Sequence, residues 1–236
     1  TVTNTLKVGT FEITKVVDWS GVTPTDVEFS GTWAATLGST SVGSGDWTVN
    51  AGNDWTFTGP TLPAGATVAL TENTASGWTA AWSPSDSLTI VDGQKAATTV
   101  THTLAAGSFE VRKAIDFSDA EEFETGPFSG TWEATLPDAS TQSGTWSVSE
   151  ADGWAWSGPT LPAGTKVTLA EDPAAGWTPS WSATELEVSS GEPATATVTN
   201  KLKVGDFSLK KIVDWGDASQ YQVGPFTGTW EATLNG

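Results

Sequence analysis

The chain repeats itself every 98 or 99 residues. The segment TVTNTLKVGTFEITKVVD at 1–18 returns as TVTHTLAAGSFEVRKAID at 99–116 and as TVTNKLKVGDFSLKKIVD at 197–214. The turn-like GPTLPAG keeps step, at 59–65 and at 158–164. Solenoid units run to about 20–50 residues, so this period is too long for a solenoid and is instead that of a whole small domain. The sequence therefore predicts a string of similar domains.

The repeat pattern divides the chain into four parts. Residues 1–6 read as the last strand of a preceding repeat, 7–104 as repeat 1, 105–202 as repeat 2, and 203–236 as an incomplete repeat 3. A fragment the size of repeat 3 cannot bury a core of its own. We interpret the chain as a window on a longer array, and the alternative is that a neighbouring copy completes the broken repeat.

The connectors between repeats are short. Each connector leads from the last strand of one repeat into the first strand of the next, and the three are LKVG at 6–9, LAAG at 104–107 and LKVG at 202–205. None is a Gly/Ser-rich tether or a proline-rich spacer. The single glycine is the only soft point in each connector. We therefore predict a fairly stiff rod with a small hinge at Gly107 and at Gly205.

Period-two alternation of apolar residues predicts β-structure throughout. Runs such as FEITKVV, ATVALTE, TKVTLAE and TATVTN alternate and are rich in β-branched residues. Turn signals such as GPTLPAG and VDGQ separate these runs at short intervals. The pattern predicts an all-β chain of tandem immunoglobulin-like antiparallel sandwiches, with about seven strands in each repeat.

Composition excludes several functions. The net charge of −18 disfavours nucleic acid and anionic membrane as partners, and the absence of cysteine excludes disulfides and thiolate chemistry. No apolar run is long enough to span a membrane. His102 is the only histidine, and no phosphate-binding glycine loop, metal motif or nucleophile–base arrangement is visible. We therefore predict no cofactor, no metal and no enzyme activity on a substrate.

Three polar residues fall on the core face of repeat 2. Alternation places Lys113 on the same face as Phe109 and Val111. By the same parity, Glu171 and Asn200 continue the inward faces of a middle strand and of the last strand. Buried charges are costly unless they pair or are neutralised. A lysine and a carboxylate that meet in an apolar pocket can exchange a proton and both become neutral.

This trio has the composition of a self-crosslinking site. A neutral lysine amine is a nucleophile, and a protonated carboxyl group can polarise an amide carbonyl and carry protons. The product would be an amide between Lys113 and Asn200, with ammonia released and Glu171 as the proton shuttle. Such a reaction is a single-turnover event within the chain. The alternative is that Lys113 and Glu171 form only a buried salt bridge.

The same residues carry a family resemblance. A first-strand lysine, a glutamate in a V-x-L-x-E strand and an asparagine in a last-strand V-x-N resemble the CnaB-type domains of Gram-positive surface adhesins and pilins. The motif GSFEV-x-K, followed later by LPAG, is similar to motifs in the tandem stalk domains of actinobacterial surface proteins. The resemblance implies an inverse immunoglobulin-like sandwich with an internal Lys–Asn isopeptide bond, and it implies Lys113, Glu171 and Asn200 as nucleophile, proton shuttle and acceptor.

Repeat 1 departs from that pattern at one position. Its equivalent cluster is Lys15, Glu72 and His102, and an imidazole has no carboxamide for the amine to attack. We expect Lys15 to remain a free amine held by hydrogen bonds and ion pairing. Lys211 and Asn4 carry the same motif positions in the incomplete end segments, where their partners are missing.

The chain is rich in tryptophan, with 14 residues that recur at equivalent positions. Exchange with phenylalanine, as at Trp19 and Phe117, suggests that most of these rings fill volume in a core that has no disulfide. The functional alternative is stacking on sugar at the GWTxxW pairs, which comprise Trp78, Trp82, Trp177 and Trp181.

Taken together, these features favour a structural stalk or spacer in a secreted, cell-wall-attached adhesin or filament. Its partners would be neighbouring repeats of the same chain and, in a filament, other copies. Two alternatives stay open. One is a binding module that grips a glycan or a host protein through tryptophan-rich surfaces, and the other is a self-assembling filament subunit completed by neighbouring copies.

Overall fold

The computed structural model describes residues 1–73, 76–217, 219 and 224–233. The regular structure is almost entirely strand, with two short 3-10 turns at Ala51–Asn53 and Glu150–Asp152. The predicted all-β class is confirmed.

Each repeat contains more strands than the seven expected, because several strands are only two or three residues long. Those of repeat 1 are β1 Val8–Asp18, β2 Glu28–Leu37, β3 Thr40–Asn50, β4 Thr56–Thr58, β5 Leu62–Pro63, β6 Thr67–Glu72, β7 Trp78–Ser83, β8 Ser87–Thr89 and β9 Lys95–Leu104. Those of repeat 2 are β10 Ala106–Gly107, β11 Phe109–Asp116, β12 Phe128–Thr135, β13 Thr141–Val148, β14 Ala155–Ser157, β15 Leu161–Pro162, β16 Lys166–Glu171, β17 Trp177–Trp181, β18 Glu185–Glu187 and β19 Ala194–Leu202.

Both repeats are two-sheet sandwiches of the same topology. In repeat 1 one sheet has the order β4-β1-β9-β7, with β5 also on β1, and the other has the order β3-β2-β6-β8. In repeat 2 the corresponding sheets are β14-β11-β19-β17 and β13-β12-β16-β18, and β10 pairs with β15. The apolar residues of alternate positions meet between the sheets, as the period-two pattern predicts.

The first and last long strands of each repeat lie side by side and parallel. Lys15 is opposite Val100 in the β1–β9 pair, and Lys113 is opposite Val198 in the β11–β19 pair. The other strand pairs are antiparallel, as expected. Because the first and last strands run in the same direction, the chain enters a repeat at one end and leaves it at the other. Successive repeats are therefore joined head to tail.

A buried indole is the central packing element of each core. Trp47 and Trp146 are almost completely buried, and their Nε1 atoms donate to the carbonyl oxygens of Thr71 and Ala170 at 3.0 and 3.1 Å. A Cβ atom on Gly31 would lie 2.5 Å from the Trp47 ring. The repeated GTW glycine is therefore needed so that the strand can approach the indole.

The junction between the repeats is held by hydrogen bonds on both sides. The Ala105 N–H donates to Gly77 O of repeat 1, and Ala105 O accepts from the Ala163 N–H of repeat 2, each at 2.8 Å. A Cβ on Gly107 would lie 1.9 Å from Ser189 O. The predicted hinge at Gly107 is therefore wrong, because this glycine permits a close backbone contact. A Cβ on Gly205 would meet nothing within 4 Å.

The end segments have no strands among their described residues. Residues 1–7 are irregular and largely exposed, as are the described parts of 203–233. Positions 218, 220–223 and 234–236 of the predicted repeat 3 lie outside the described residues. The assignment of these segments to neighbouring repeats stays a prediction.

The contrast between the two connector glycines is testable. Gly107→Ala should destabilise repeat 2 by about 1–3 kcal/mol, because the added methyl group forces β10 away from Ser189. Calorimetric unfolding of the chain measures the change. Gly205→Ala is the matched control and should leave the transition of repeat 2 in place. Equal effects of the two substitutions would contradict this account of the junction.

Candidate functional site

Three strands of repeat 2 bring the predicted polar trio together. Lys113 lies on β11, and Asn200 lies on the adjacent parallel strand β19, opposite Ile115. This register puts Asn200 two residues along from the partner of Lys113, so both side chains are on the same inward face. Glu171 ends β16 in the facing sheet. The site thus spans the gap between the two sheets.

One carboxylate oxygen is shared by the other two groups. Lys113 Nζ forms an ion pair with Glu171 Oε1, and Asn200 Nδ2 donates to the same oxygen at 3.1 Å. The Lys113 and Glu171 side chains are 0% and 2% exposed, and Asn200 is fully buried. A water-excluded site of this kind strengthens every electrostatic interaction inside it.

The environment opposes the charged form of the lysine. Burial lowers the pKa of Lys113, and the hydrogen bond and charge of Glu171 offset that effect only in part. The Nζ atom also lies 4.1 Å from the centroid of the Phe128 ring. Asn200 Oδ1 is buried and has no hydrogen-bond partner among the described residues. A buried carbonyl oxygen without a partner is costly, so the trio is incompletely satisfied as it stands.

Repeat 1 places its equivalent trio in the same arrangement. Lys15 Nζ pairs with Glu72 Oε1, and His102 Nε2 lies 2.7 Å from Glu72 Oε2. Lys15 and His102 are 3% and 2% exposed. The Phe29 ring contacts both groups, 3.9 Å from Lys15 Nζ and 4.5 Å from the imidazole centroid. Each carboxylate oxygen of Glu72 thus has its own partner, whereas in repeat 2 both the lysine and the asparagine contact Glu171 Oε1.

His102 is held in its neutral form. Burial lowers its pKa, and the nearby charge of Lys15 lowers it further, while Glu72 acts in the opposite direction. With Nε2 donating to the Glu72 carboxylate, Nδ1 is the unprotonated nitrogen, and it is buried with no hydrogen-bond partner among the described residues. A second proton would leave an N–H group unsatisfied in the core and set two cations on one carboxylate.

The tryptophans of the GWTxxW pairs, which were predicted as possible sugar contacts, do not pack together within each pair. Trp82 and Trp181 pack edge-on against Trp47 and Trp146, with centroids 6.3 and 6.0 Å apart. Trp78 instead contacts Trp19 and Phe29, and Trp177 contacts the equivalent Phe117 and Phe128 together with Phe123. The two rings of each GWTxxW pair therefore have separate neighbours. Sugar stacking by these pairs stays a prediction.

Within their described residues, the end segments do not assemble a trio. Asn4 and Lys211 are exposed. Lys211 Nζ nevertheless lies 5.0 Å from the centroid of the Phe226 ring, and this contact resembles the shorter one between Lys113 and Phe128. The sequence reasoning had not identified these phenylalanines as site residues. The signal was present, because the FSGTW pattern puts Phe29 and Phe128 on the same inward face as the following glycine and tryptophan.

The histidine makes the stability of repeat 1 depend on pH. Histidine in the unfolded chain titrates near pH 6.5, whereas its pKa in the fold is lower. Below about pH 6.5 the unfolded state therefore binds a proton that the folded state does not, and the free energy of unfolding falls. We expect hydrogen exchange in repeat 1 to accelerate, relative to the intrinsic rate, between pH 7 and pH 5.

Repeat 2 is the internal control for that measurement, because Asn200 does not titrate where His102 does. The His102→Gln variant is a second control and should remove the pH dependence of repeat 1. A parallel change in both repeats over this range would show that another group is responsible.

Comparison with known proteins identifies a family and a similar fold. A family described as Domain of unknown function (DUF5979) matches twice, at residues 11–105 and 109–203. No curated protein matches the chain. Among the described residues, no helix has the length and apolar character needed to cross a membrane.

The solved structure of a bacterial pilin shares this architecture. The major pilin from Streptococcus pyogenes is 11% identical, with a TM-score of 0.50, over 84% of this chain and 99% of the pilin. Two B repeat units of the collagen-binding protein Cna of Staphylococcus aureus are 14% identical, with a TM-score of 0.33, over 84% and 50% of the two chains. The predicted resemblance to pilin domains is confirmed at the level of fold. With both repeats matched by its model, the chain belongs to the DUF5979 family.

Proposed function

We propose that this chain is a load-bearing stalk of an extracellular, cell-surface adhesin or filament, and that repeat 2 closes itself with an amide bond between Lys113 and Asn200. The observation that carries the proposal is the shared buried carboxylate oxygen of Glu171, which the lysine amine and the asparagine carboxamide both contact. A similar fold occurs in a pilin, and this supports the setting.

The reaction begins with a proton transfer. Lys113 passes a proton to Glu171, which is favoured because both charges are buried and burial lowers the pKa of the lysine. The transfer leaves a neutral amine beside the carboxamide and a carboxylic acid that is now a hydrogen-bond donor. Neutralisation also removes the desolvation cost of two buried charges.

The orientation of the Asn200 amide follows the protonation state of Glu171. Nδ2 donates to the carboxylate, and Oδ1 is without a partner among the described residues. Once Glu171 carries the proton, a half-turn of the amide lets the acid donate to Oδ1. That hydrogen bond withdraws electrons from the carbonyl carbon and stabilises the oxyanion that develops there.

Bond exchange completes the crosslink. The Lys113 nitrogen attacks Asn200 Cγ, a C–N bond forms, and the bond from Cγ to Nδ2 breaks. Nδ2 takes up the proton that the attacking nitrogen loses, relayed through Glu171, and leaves as ammonia. The two groups need little movement, because the parallel β11–β19 register already holds them on one face.

The crosslink would suit the direction of load. Tension enters repeat 2 through its first long strand, β11, and leaves through its last, β19, and these strands are hydrogen-bonded neighbours. Pulling them in opposite directions shears their ladder of weak bonds. A covalent bond between them would carry the force instead, and it would leave the rest of the sandwich unloaded.

The proposal predicts a mass deficit. The measured mass of the intact chain should be lower by one ammonia than the mass calculated from its sequence. After digestion, a peptide containing Lys113 should be recovered covalently linked to one containing Asn200. Lys113→Arg or Glu171→Gln should restore the full mass, because the first removes the nucleophile and the second the proton shuttle. A native chain of full mass would contradict the crosslink and leave a buried salt bridge as the explanation.

Repeat 1 offers a test by gain of function. Its lysine and glutamate are placed as in repeat 2, so His102→Asn should supply the missing carboxamide, and the variant should lose a second ammonia. The double variant His102→Asn with Glu72→Gln is the matched control and should lose only the first. A single ammonia lost from His102→Asn would mean that the trio alone does not define the reactive site.

A further inference from the structure

A cleft of about 380 Å³ lies at the junction of the two repeats. Repeat 1 supplies the rings of Trp19 and Trp78, which meet edge to face with centroids 5.2 Å apart. Repeat 2 supplies its β12–β13 hairpin, with Pro137, Asp138 and Gln142. The cleft is large enough for one or two sugar rings or a small ligand of similar size.

The hydrogen bonds of the connector fix the two walls of the cleft. Ala105 lines it and is bonded to Gly77 on one side and to Ala163 on the other. Thr160 of repeat 2 also approaches Gly21 of repeat 1, since a Cβ on that glycine would lie 3.8 Å from the threonine side chain. The cleft is therefore preformed, and a ligand would not have to bring the repeats together.

In repeat 2 an additional aromatic ring covers the residues equivalent to Trp19 and Trp78. There Phe123 packs on Phe117 and Trp177, with centroids 5.2 and 6.3 Å apart, and Trp177 is only 8% exposed. Thr25 follows Trp19 by the same number of residues as Phe123 follows Phe117, so by this count Thr25 is the equivalent of Phe123. Thr25 is a lining residue of the cleft, and its small side chain leaves Trp78 half-buried.

The polar groups around the rings are those that bind hydroxyls. Thr23 and Thr25 offer hydroxyl groups, Gln142 offers an amide, and all three are exposed at the cleft. Asp138 is the one charged residue among the lining residues that the structure describes, and its carboxylate accepts hydrogen bonds from the N–H and hydroxyl of Ser140. Together with a net charge of −18, this carboxylate disfavours an anionic ligand.

We propose that the junction cleft is a binding site for a pyranose unit of a neutral glycan. One of the two perpendicular indoles, Trp19 or Trp78, stacks on the apolar face of the ring and the other contacts its edge, while Gln142, Asp138 and the threonines bind its hydroxyls. The site needs both repeats and does not depend on the crosslink in repeat 2. It differs from the GWTxxW pairs predicted from sequence, because Trp82 packs against Trp47 and does not line the cleft.

Titration of the full chain with neutral trisaccharides tests the site. Maltotriose, cellotriose and triacetylchitotriose are added separately, and binding is followed by calorimetry and by the indole resonances in NMR spectra. At least one should bind with a Kd of about 1 mM or tighter. Thr25→Phe, which copies the residue of repeat 2, should weaken that binding at least about tenfold, equivalent to about 1.4 kcal/mol, while the unfolding temperature stays unchanged or rises.

The controls separate the cleft from other aromatic surfaces. Trp82→Phe should leave the binding unchanged, and lactose should bind more tightly than its anionic derivative sialyllactose. The proposal is overturned if none of the three trisaccharides binds, if Thr25→Phe binds as the native chain does, or if sialyllactose binds as tightly as lactose. Self-association that Thr25→Phe removes, without any sugar binding, would assign the cleft to a second copy of the chain and also overturn it.

Discussion

The buried Glu171 carboxylate joins the two sheets of repeat 2, and the chemistry proposed for the molecule depends on it. Its Oε1 atom is the meeting point of a lysine from one strand and an asparagine from the next. Ionised, the group has to offset the desolvation of two charges, and burial lowers the pKa of Lys113. When neutral, it would be the acid that activates the amide in the proposed reaction. The energetic problem of the core and the proposed reaction therefore have the same origin.

The parallel pairing of first and last strands links that site to the shape of the array. It lets the chain pass straight through each repeat, and it sets Lys113 and Asn200 on adjacent strands of one sheet. The connector then extends the straight path, because Ala105 bonds to both repeats and Gly107 packs directly on Ser189. Repeat 1 keeps this framework but has His102 in place of the asparagine, so its trio is closed by hydrogen bonds, and its stability becomes sensitive to pH.

Sequence reasoning was most reliable where a short-range pattern determines the structure. Period-two alternation identified the strands and the inward faces of Lys113 and Asn200, and both residues are buried. It could not give the parallel register, since pairing between the ends of a repeat depends on how the whole sandwich closes. Gly107 was misjudged for a related reason: a glycine that avoids a clash with a distant Ser189 carbonyl looks the same in sequence as a flexible one. The junction cleft was invisible because its walls come from two repeats.

Stretching single molecules of the full chain tests the central claim most directly. An amide between Lys113 and Asn200 would lock the intervening segment 114–199, so repeat 2 should release almost no length under force. Repeat 1 has no such bond and should unfold in one step with an extension of about 3.6 Å per residue. Lys113→Arg should then produce a second step of similar size. Two equal steps in the native chain would contradict the account.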